Sequence, residues 1–277
     1  MSHIQGRVIA ITGAGGGFGR LVASKAAERG GLIAACDING DELEQTVEAI
    51  TAAGGSALAV KGDVTQAGDM AALVAAAVER YGCLDVMVNN AGTMPLAYFA
   101  DHANALDAWH RCIDINLKGV LNGITAAYDQ MISQGRGHII NLSSIYSNFP
   151  LKGAAVYGAT KAAVNFLSEA LRQESHGKIK VTTVRPTGIP ITGIGSAVVN
   201  MEAGAGIVGT NADAFDERFV ALLEGGGREE WNDPTNIEYF MLAPDLLADQ
   251  IIYAMDQPWG VSIADLTVRA SGDLFVV

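Results

Sequence analysis

The 277 residues predict an α/β fold, a parallel sheet covered by helices on both faces. Short apolar runs alternate with helix-like stretches along most of the chain, the order that builds βαβ units. The runs are also continuously apolar rather than alternating, as strands are when both faces of a sheet are buried. With 49% hydrophobic and 17% charged residues, the chain is too apolar to remain disordered. Its length buries a full core without a disulfide or metal staple.

Each element follows from its local pattern. Arg7–Thr12 (RVIAIT) is short and apolar, hence a strand. Phe18–Arg29 is Ala-rich with spaced apolar positions, hence a helix. Leu32–Asp37 is the second strand and Asp41–Ala53 the second helix. Ser56–Lys61 is a strand, Gln66–Tyr81 an Ala-rich helix and Leu84–Asn89 a strand. His102–Ser133 reads as one long helix. Gly137–Ser143 is a strand, Ala155–Ser175 a helix and Ile179–Arg185 a strand. From Pro186 to Pro244 the period is lost, apart from helical content at Ala214–Leu223. The regular pattern resumes with a helix at Asp245–Met255 and a strand at Ala264–Arg269. Repeats, low-complexity tracts and linkers are absent, so one domain over 1–277 is expected. The loop-rich stretch at about 187–243 is expected to be a substrate loop or lid.

Composition excludes several function classes. Acidic residues outnumber basic ones 30 to 18, for a net charge of −12. A nucleic-acid binder presents a basic face, so that class is set aside. No apolar run is long enough to span a bilayer, and the first residues carry no apolar signal core. Cys36, Cys83 and Cys112 are odd in number and contain no CxxC. They read as reduced thiols, and a cytoplasmic protein is expected. Cys, His and Asp nowhere cluster at ligand spacing, so no metal is expected.

The chemistry lies at the carboxyl ends of the strands, where ligands collect in open α/β sheets. Thr12-Gly13-Ala14-Gly15-Gly16-Gly17-Phe18-Gly19 joins the first strand to the first helix. Glycines there let a pyrophosphate approach the helix N-terminus, whose free N–H groups and dipole favour anions. Asp37 ends the second strand. Its carboxylate can accept from both ribose hydroxyls of an adenosine and would repel a 2′-phosphate. Gly16 and Ile38 stand where a cation for that phosphate is sought, so NAD is preferred over NADP. Asp63-Val64 ends the third strand, beside the adenine, and Asn89-Asn90-Ala91-Gly92 ends the fourth. Tyr157 and Lys161 are four apart on a helix and share a face. An ammonium there favours the phenolate and is expected to lower the tyrosine pKa, making Tyr157 a general acid/base. Ser144, 13 residues upstream, can hydrogen-bond the substrate oxygen.

Thr12–Gly19 (TGxxxGxG), Asn89–Gly92 (NNAG), Asn116 in DINL, Ser144 and Tyr157-x-x-x-Lys161 together resemble the short-chain dehydrogenase/reductase family. The resemblance covers roughly Gly6 to Pro186. It implies a single Rossmann-type, doubly wound domain with a seven-stranded parallel sheet in the order 3-2-1-4-5-6-7. It also implies nicotinamide-dependent hydride transfer. By that resemblance Ser144 polarises the substrate oxygen and Tyr157 exchanges its proton. Lys161 holds the nicotinamide ribose, and Asn116 supports a water that extends the proton relay. The turn also fits TGxxGxxG through Gly13, Gly16 and Gly19, the spacing of the longer epimerase branch. Length, NNAG and the Ser144–Tyr157 spacing favour the shorter branch. After the sixth strand the family has Pro-Gly, whereas this chain has Pro186-Thr187. Pro186, Ile189 and Thr192 are the expected contacts to the nicotinamide.

The expected cleft wall comes from Thr93–Leu96 with Tyr98 and Phe99, from Ile145, Tyr146, Phe149 and Pro150, and from 193–243. Met94, Tyr146 and Phe149 join Ser144 and Tyr157 as expected substrate contacts. These residues are mostly apolar, with Lys152 and Arg228 the exceptions. The expected substrate is a hydrophobic secondary alcohol or its ketone. The alternatives are a nucleotide-sugar epimerase or dehydratase that retains NAD, and a non-catalytic NAD-binding module. Ala-rich helices apolar on more than one face need covering, and by the resemblance they pair in a homotetramer or dimer.

Overall fold

A computed structural model describes residues 2–187 and 193–277. Seven parallel strands run in the order β3-β2-β1-β4-β5-β6-β7, which the resemblance implied. They are β1 (Val8–Thr12), β2 (Leu32–Asp37), β3 (Ser56–Lys61), β4 (Val86–Asn89), β5 (Gly137–Leu142), β6 (Ile179–Pro186) and β7 (Asp265–Val268). The order reverses direction between β1 and β4, so the connections leave these two strands on opposite sides and open a crevice between their carboxyl ends.

One layer on the sheet comprises α1 (Gly17–Glu28), α2 (Gly40–Ala52) and α9 (Pro244–Met255). Its core joins Ile9, Ile11 and Ile33 to Val22, Ile50, Leu247 and Ile251. The other layer comprises α3 (Ala67–Tyr81), α5 (Gly119–Gln134) and α6 (Ala155–Glu174). Its core joins Val8, Met87 and Ile139 to Leu73, Ile124 and Val164. Each fully buried aliphatic side chain contributes about 1.5–3 kcal/mol. β1, β4 and β5 are buried along their whole lengths, which is why their sequences do not alternate.

The long helix expected at His102–Ser133 is present as an unbroken helical run with a π turn inside it. α4 (His102–Ile113) passes through a π turn at Asp114–Lys118 into α5. The cause is tertiary. Asn116 is fully buried there and turns its side chain onto the backbone of Thr93.

Beyond β6 the chain forms short 3₁₀ turns, then α7 (Ala212–Leu223) and α8 (Glu229–Asn232). None of the side chains of α7 is buried. This segment stands over the carboxyl edge of the sheet, on the side of the crevice.

Candidate active site

The register aligns the strand ends that build the site. Thr12 faces Cys36, Asn89 faces Asn141, and Leu142 faces Val184. A cleft of about 2300 Å³ runs over these ends. It exceeds the 300–1,000 Å³ typical of a drug-sized ligand, leaving room for a dinucleotide and a substrate together.

The glycine turn is shaped by close approach. Gly13 has φ +67°, and a Cβ there would stand 2.9 Å from Asn90 Nδ2. A Cβ on Gly19 would overlap the Gly13 carbonyl. The start of α1 has no side-chain cap, so its first N–H groups remain available to an anion. Thr12 Oγ1 accepts from the N–H groups of Asn90 (3.0 Å) and Ala91 (3.1 Å). Asn90 Nδ2 donates to the carbonyls of Thr12 (2.9 Å) and Gly13 (3.2 Å). The NNAG segment thus clamps the turn to β4. Asn90 lines the cleft, but its amide is spent on this clamp.

At the other end of the turn, Gly15 donates its N–H to Asp37 Oδ2 at 2.9 Å, and Asn39 donates to Asp37 Oδ1 at 2.9 Å. Glu42 adds a second carboxylate, 3.5 Å from where a Cβ on Gly16 would lie. Arg20 is near this corner but is held by the carbonyls of Gly15 and Glu42 and by Thr46 Oγ1. Val64 fits against α5 because Gly119 has no side chain: a Cβ there would stand 2.7 Å from Val64 Cγ2. These residues fit a dinucleotide, with backbone donors for the pyrophosphate and carboxylates for the adenosine ribose.

The four expected catalytic residues meet at the centre. Ser144 caps the 3₁₀ turn after β5 and is buried. Tyr157, Thr160 and Lys161 lie on the buried face of α6. Gly158 lets α6 press against that turn, since a Cβ would stand 2.9 Å from the Tyr146 carbonyl. Lys161 Nζ donates to the Leu142 carbonyl at 2.7 Å and lies 5.8 Å from the Tyr157 ring centre. Gly92 joins the group: a Cβ there would stand 3.4 Å from Asn116 Oδ1 and 3.6 Å from Lys161 Nζ. Asn116 Oδ1 accepts from Thr93 N–H and its Nδ2 donates to Thr93 O, both at 2.9 Å. Its side chain holds the loop after β4 in place.

The electrostatics differ from the sequence reading in one respect. Burial pushes Tyr157 up to about 12, against a smaller lowering by the Ser144 hydroxyl. Burial also brings Lys161 down to about 8. The expectation that Lys161 lowers the tyrosine is therefore not met in this chain by itself. Desolvation in the apolar pocket of Leu96, Ala154 and Ala203 is the dominant cause for the phenol.

Gly13, Gly16, Gly17, Phe18, Gly19, Asp37, Asp63, Val64, Ala91, Gly92, Met94, Tyr146 and Pro186 all line the cleft. Gly15 sits behind it, bonded to Asp37. Phe149 is 64% exposed and outside the lining, because the chain turns outward after the 3₁₀ turn. Phe99, Lys152 and Arg228 are also outside the lining. Ile189 and Thr192 lie outside the described residues. The lining adds residues that sequence reasoning missed, among them Glu42, Arg111, Thr187 and Phe275, and it includes Phe215 from the expected 193–243 wall. Thr187 was visible as the replacement of a family glycine. Phe275 carries no local signal, being far from every motif. Among the described residues, no three His, Cys, Asp or Glu side chains group as a metal site, and no helix is long and apolar enough to cross a membrane.

A family profile described as short chain dehydrogenase matches residues 7–203. An uncharacterized oxidoreductase of Listeria monocytogenes is 37% identical over 268 residues, 96% of each chain. A 2,5-dichloro-2,5-cyclohexadiene-1,4-diol dehydrogenase of Sphingobium indicum is 36% identical over 194 residues, 69% of this chain and 77% of that protein. In structure, the chain is similar to an alcohol dehydrogenase of Thermococcus sibiricus solved with 5-hydroxy-NADP. The TM-score is 0.76 at 22% identity, covering 96% of this chain and 97% of the other.

Proposed function

We propose that this chain, which belongs to the short-chain dehydrogenase family and is an oxidoreductase of that family, interconverts a hydrophobic secondary alcohol and its ketone with NAD. One observation carries the reading: Ser144, Tyr157 and Lys161 line the same cleft as the glycine turn and Asp37, with the buried Asn116 directly behind them, donating to Thr160 Oγ1 at 3.3 Å. A nicotinamide held there supplies a hydride acceptor or donor. Ser144 orients the substrate oxygen by a hydrogen bond, and Tyr157 takes or returns its proton. Lys161 holds the ribose hydroxyls. The Asn116 side chain fixes the loop, leaving its backbone in the π turn to support a water of the relay.

The preference for NAD rests on charge. Asp37 and Glu42 both stand where a 2′-phosphate would add two negative charges, and Arg20 is already committed to carbonyls. The substrate class rests on the lining. Seven carboxylates (Asp37, Glu42, Asp63, Asp107, Asp114, Glu202, Asp216) face two cations (Arg111, Lys161), which disfavours an anionic substrate. The walls are apolar and aromatic. The cyclic diol dehydrogenase among the relatives fits an alicyclic alcohol.

Residues 1–277 are read as one catalytic unit, with the described part of the 187–243 stretch, from Gly193 on, as the cover of the substrate side. The exposed Leu106, Ile113, Leu121 and Phe166 on α4 to α6 support a homo-oligomer, a tetramer ahead of a dimer.

Steady-state reduction of NAD and NADP with a panel of secondary alcohols tests the reading, with Tyr157→Phe as control. Turnover with NAD on bulky alcohols is expected, falling by about 10²–10⁴-fold in the variant. Tightly retained NAD with no net reduction of any panel member would favour an epimerase instead.

A further inference from the structure

Residues 272–277 leave β7 and turn back over the substrate side of the cleft. Gly272 N–H donates to the Tyr239 carbonyl at 2.8 Å, and Val276 N–H donates to Ile207 O at 2.9 Å. Asn211 Nδ2 donates to Leu274 O at 3.0 Å. Arg269 fastens the segment from below. It holds both oxygens of Asp273, at 3.0 and 2.6 Å, and donates to the carbonyls of Phe275 (2.9 Å) and Val277 (2.6 Å). The Asp273 side chain is only 3% exposed, whereas Arg269 keeps 38% of its side chain in solvent, so the pair is buried on the carboxylate side alone. The tail is therefore anchored by side chains and backbone alike.

The anchoring puts one aromatic ring where it meets a ligand. Phe275 lines the cleft and lies 5.8 Å from Phe215, which stacks on Phe219 at 5.6 Å. Phe275 and Tyr146 both pack against the buried cluster of Ile145, Ile207 and Val208. Tyr146 in turn lies edge-on to Tyr157 at 5.4 Å. An apolar surface thus runs from the reacting phenol to the tail.

We propose that Phe275, with Phe215 and Phe219, forms a distal apolar subsite that takes an aryl or alicyclic group of the substrate. Arg269 is the positioning residue that holds the tail in place. The inference rests on the alcohol–ketone reading for what reacts, and it adds which part of the chain chooses the substituent. Its chemistry is ordinary: aromatic side chains contribute large apolar area at fixed geometry.

The test compares wild type with Phe275→Ala, Phe275→Leu, Arg269→Ala and Arg269→Lys. The readout is the ratio of kcat/KM for 1-phenylethanol to that for 2-butanol with NAD. Calorimetric titration with the aryl ketone acetophenone supplies a second readout that needs no turnover. The ratio is expected to fall at least tenfold in Phe275→Ala and Arg269→Ala. Phe275→Leu should fall between wild type and Phe275→Ala, and Arg269→Lys should recover part of the loss. Acetophenone affinity should weaken by a similar factor in Phe275→Ala. Melting curves identify a variant that has merely unfolded, and Phe275→Leu then decides. An unchanged ratio together with unchanged ketone affinity overturns the subsite. Absence of alcohol turnover in wild type overturns the reaction instead, and the ketone titration still decides the subsite.

Discussion

Gly15 donates its backbone N–H to Asp37 Oδ2 across 2.9 Å, so the glycine turn and the carboxylate proposed for the ribose are one hydrogen-bonded unit. A Cβ on Gly15 would stand 2.8 Å from the Asp37 carboxyl carbon. The glycine is needed there for the contact and not for a positive φ.

Replacing Asp37 therefore has two consequences. Asp37→Ala leaves Gly15 N–H without its acceptor and removes the partner of the ribose hydroxyls. Hydrogen bonds to a charged group are worth about 1.5–3 kcal/mol, so kcat/KM with NAD is expected to fall by roughly 10–100-fold. Adding Glu42→Gln should raise the NADP-to-NAD ratio further, since the second carboxylate then also loses its charge. Initial rates with both cofactors check this. Unchanged preference in the double variant would remove the electrostatic explanation.

The pH dependence of stability has a definite sign at Lys161. Burial lowers it from 10.5 to about 8. Between these values the unfolded chain binds the extra proton, so stability rises with pH across that window. Tyr157, raised to about 12, acts in the opposite direction only above roughly pH 10, its unfolded value. Denaturant titrations should show wild type gaining on Lys161→Met from about pH 8 to about pH 9.5. A flat difference would contradict the buried ammonium. Tyr157 must also give up its proton to accept one from an alcohol. Oxidation should therefore quicken with pH through this range while ketone reduction does not.

Gly123 supplies a purely structural test. A Cβ there would overlap Asn89 Oδ1 and stand 2.9 Å from Met87 Cε. Asn89 is fixed in turn, donating to Asn141 Oδ1 at 2.8 Å, and Asn141 donates to Ser168 at 2.9 Å. The neighbours cannot yield, and Gly123→Ala is expected to cost about 1–3 kcal/mol. Urea unfolding measures it. Turnover per folded molecule should stay within about twofold, because the change is below the cleft. A loss under 0.5 kcal/mol, the usual scale of a surface substitution, would mean that the helix moves to make room.

The parts of this protein legible in its sequence are those that local pattern determines. Buried parallel strands announce themselves as unbroken apolar runs, and the glycine turn and Asp37 follow from where those runs end; Tyr157 and Lys161 follow from their helical spacing, and Asn116 from the family resemblance alone. Other features depend on distant partners. No helix breaker marks the turn at Asp114–Lys118; Thr93 sets it through Asn116. The i, i+4 spacing of Tyr157 and Lys161 is visible, but the apolar pocket that dominates their protonation comes from Leu96, Ala154 and Ala203. Phe149 reads as a wall residue yet points outward, whereas Phe275 reads as nothing and lines the cleft.

The strand order also bears on how the molecule comes together during synthesis. β2 adds beside β1, β3 beside β2, and β4 on the free side of β1, after which β5, β6 and β7 each extend the same edge. No strand has to be threaded between two that are already in place. A chain leaving the ribosome can thus enlarge its sheet one edge at a time. The glycine turn, Asp37 and Tyr157 have all emerged before residue 193. The wall of Phe215, Phe219 and Phe275 comes last, so a nascent chain acquires the glycine turn and Asp37 before it closes the far side of the cleft.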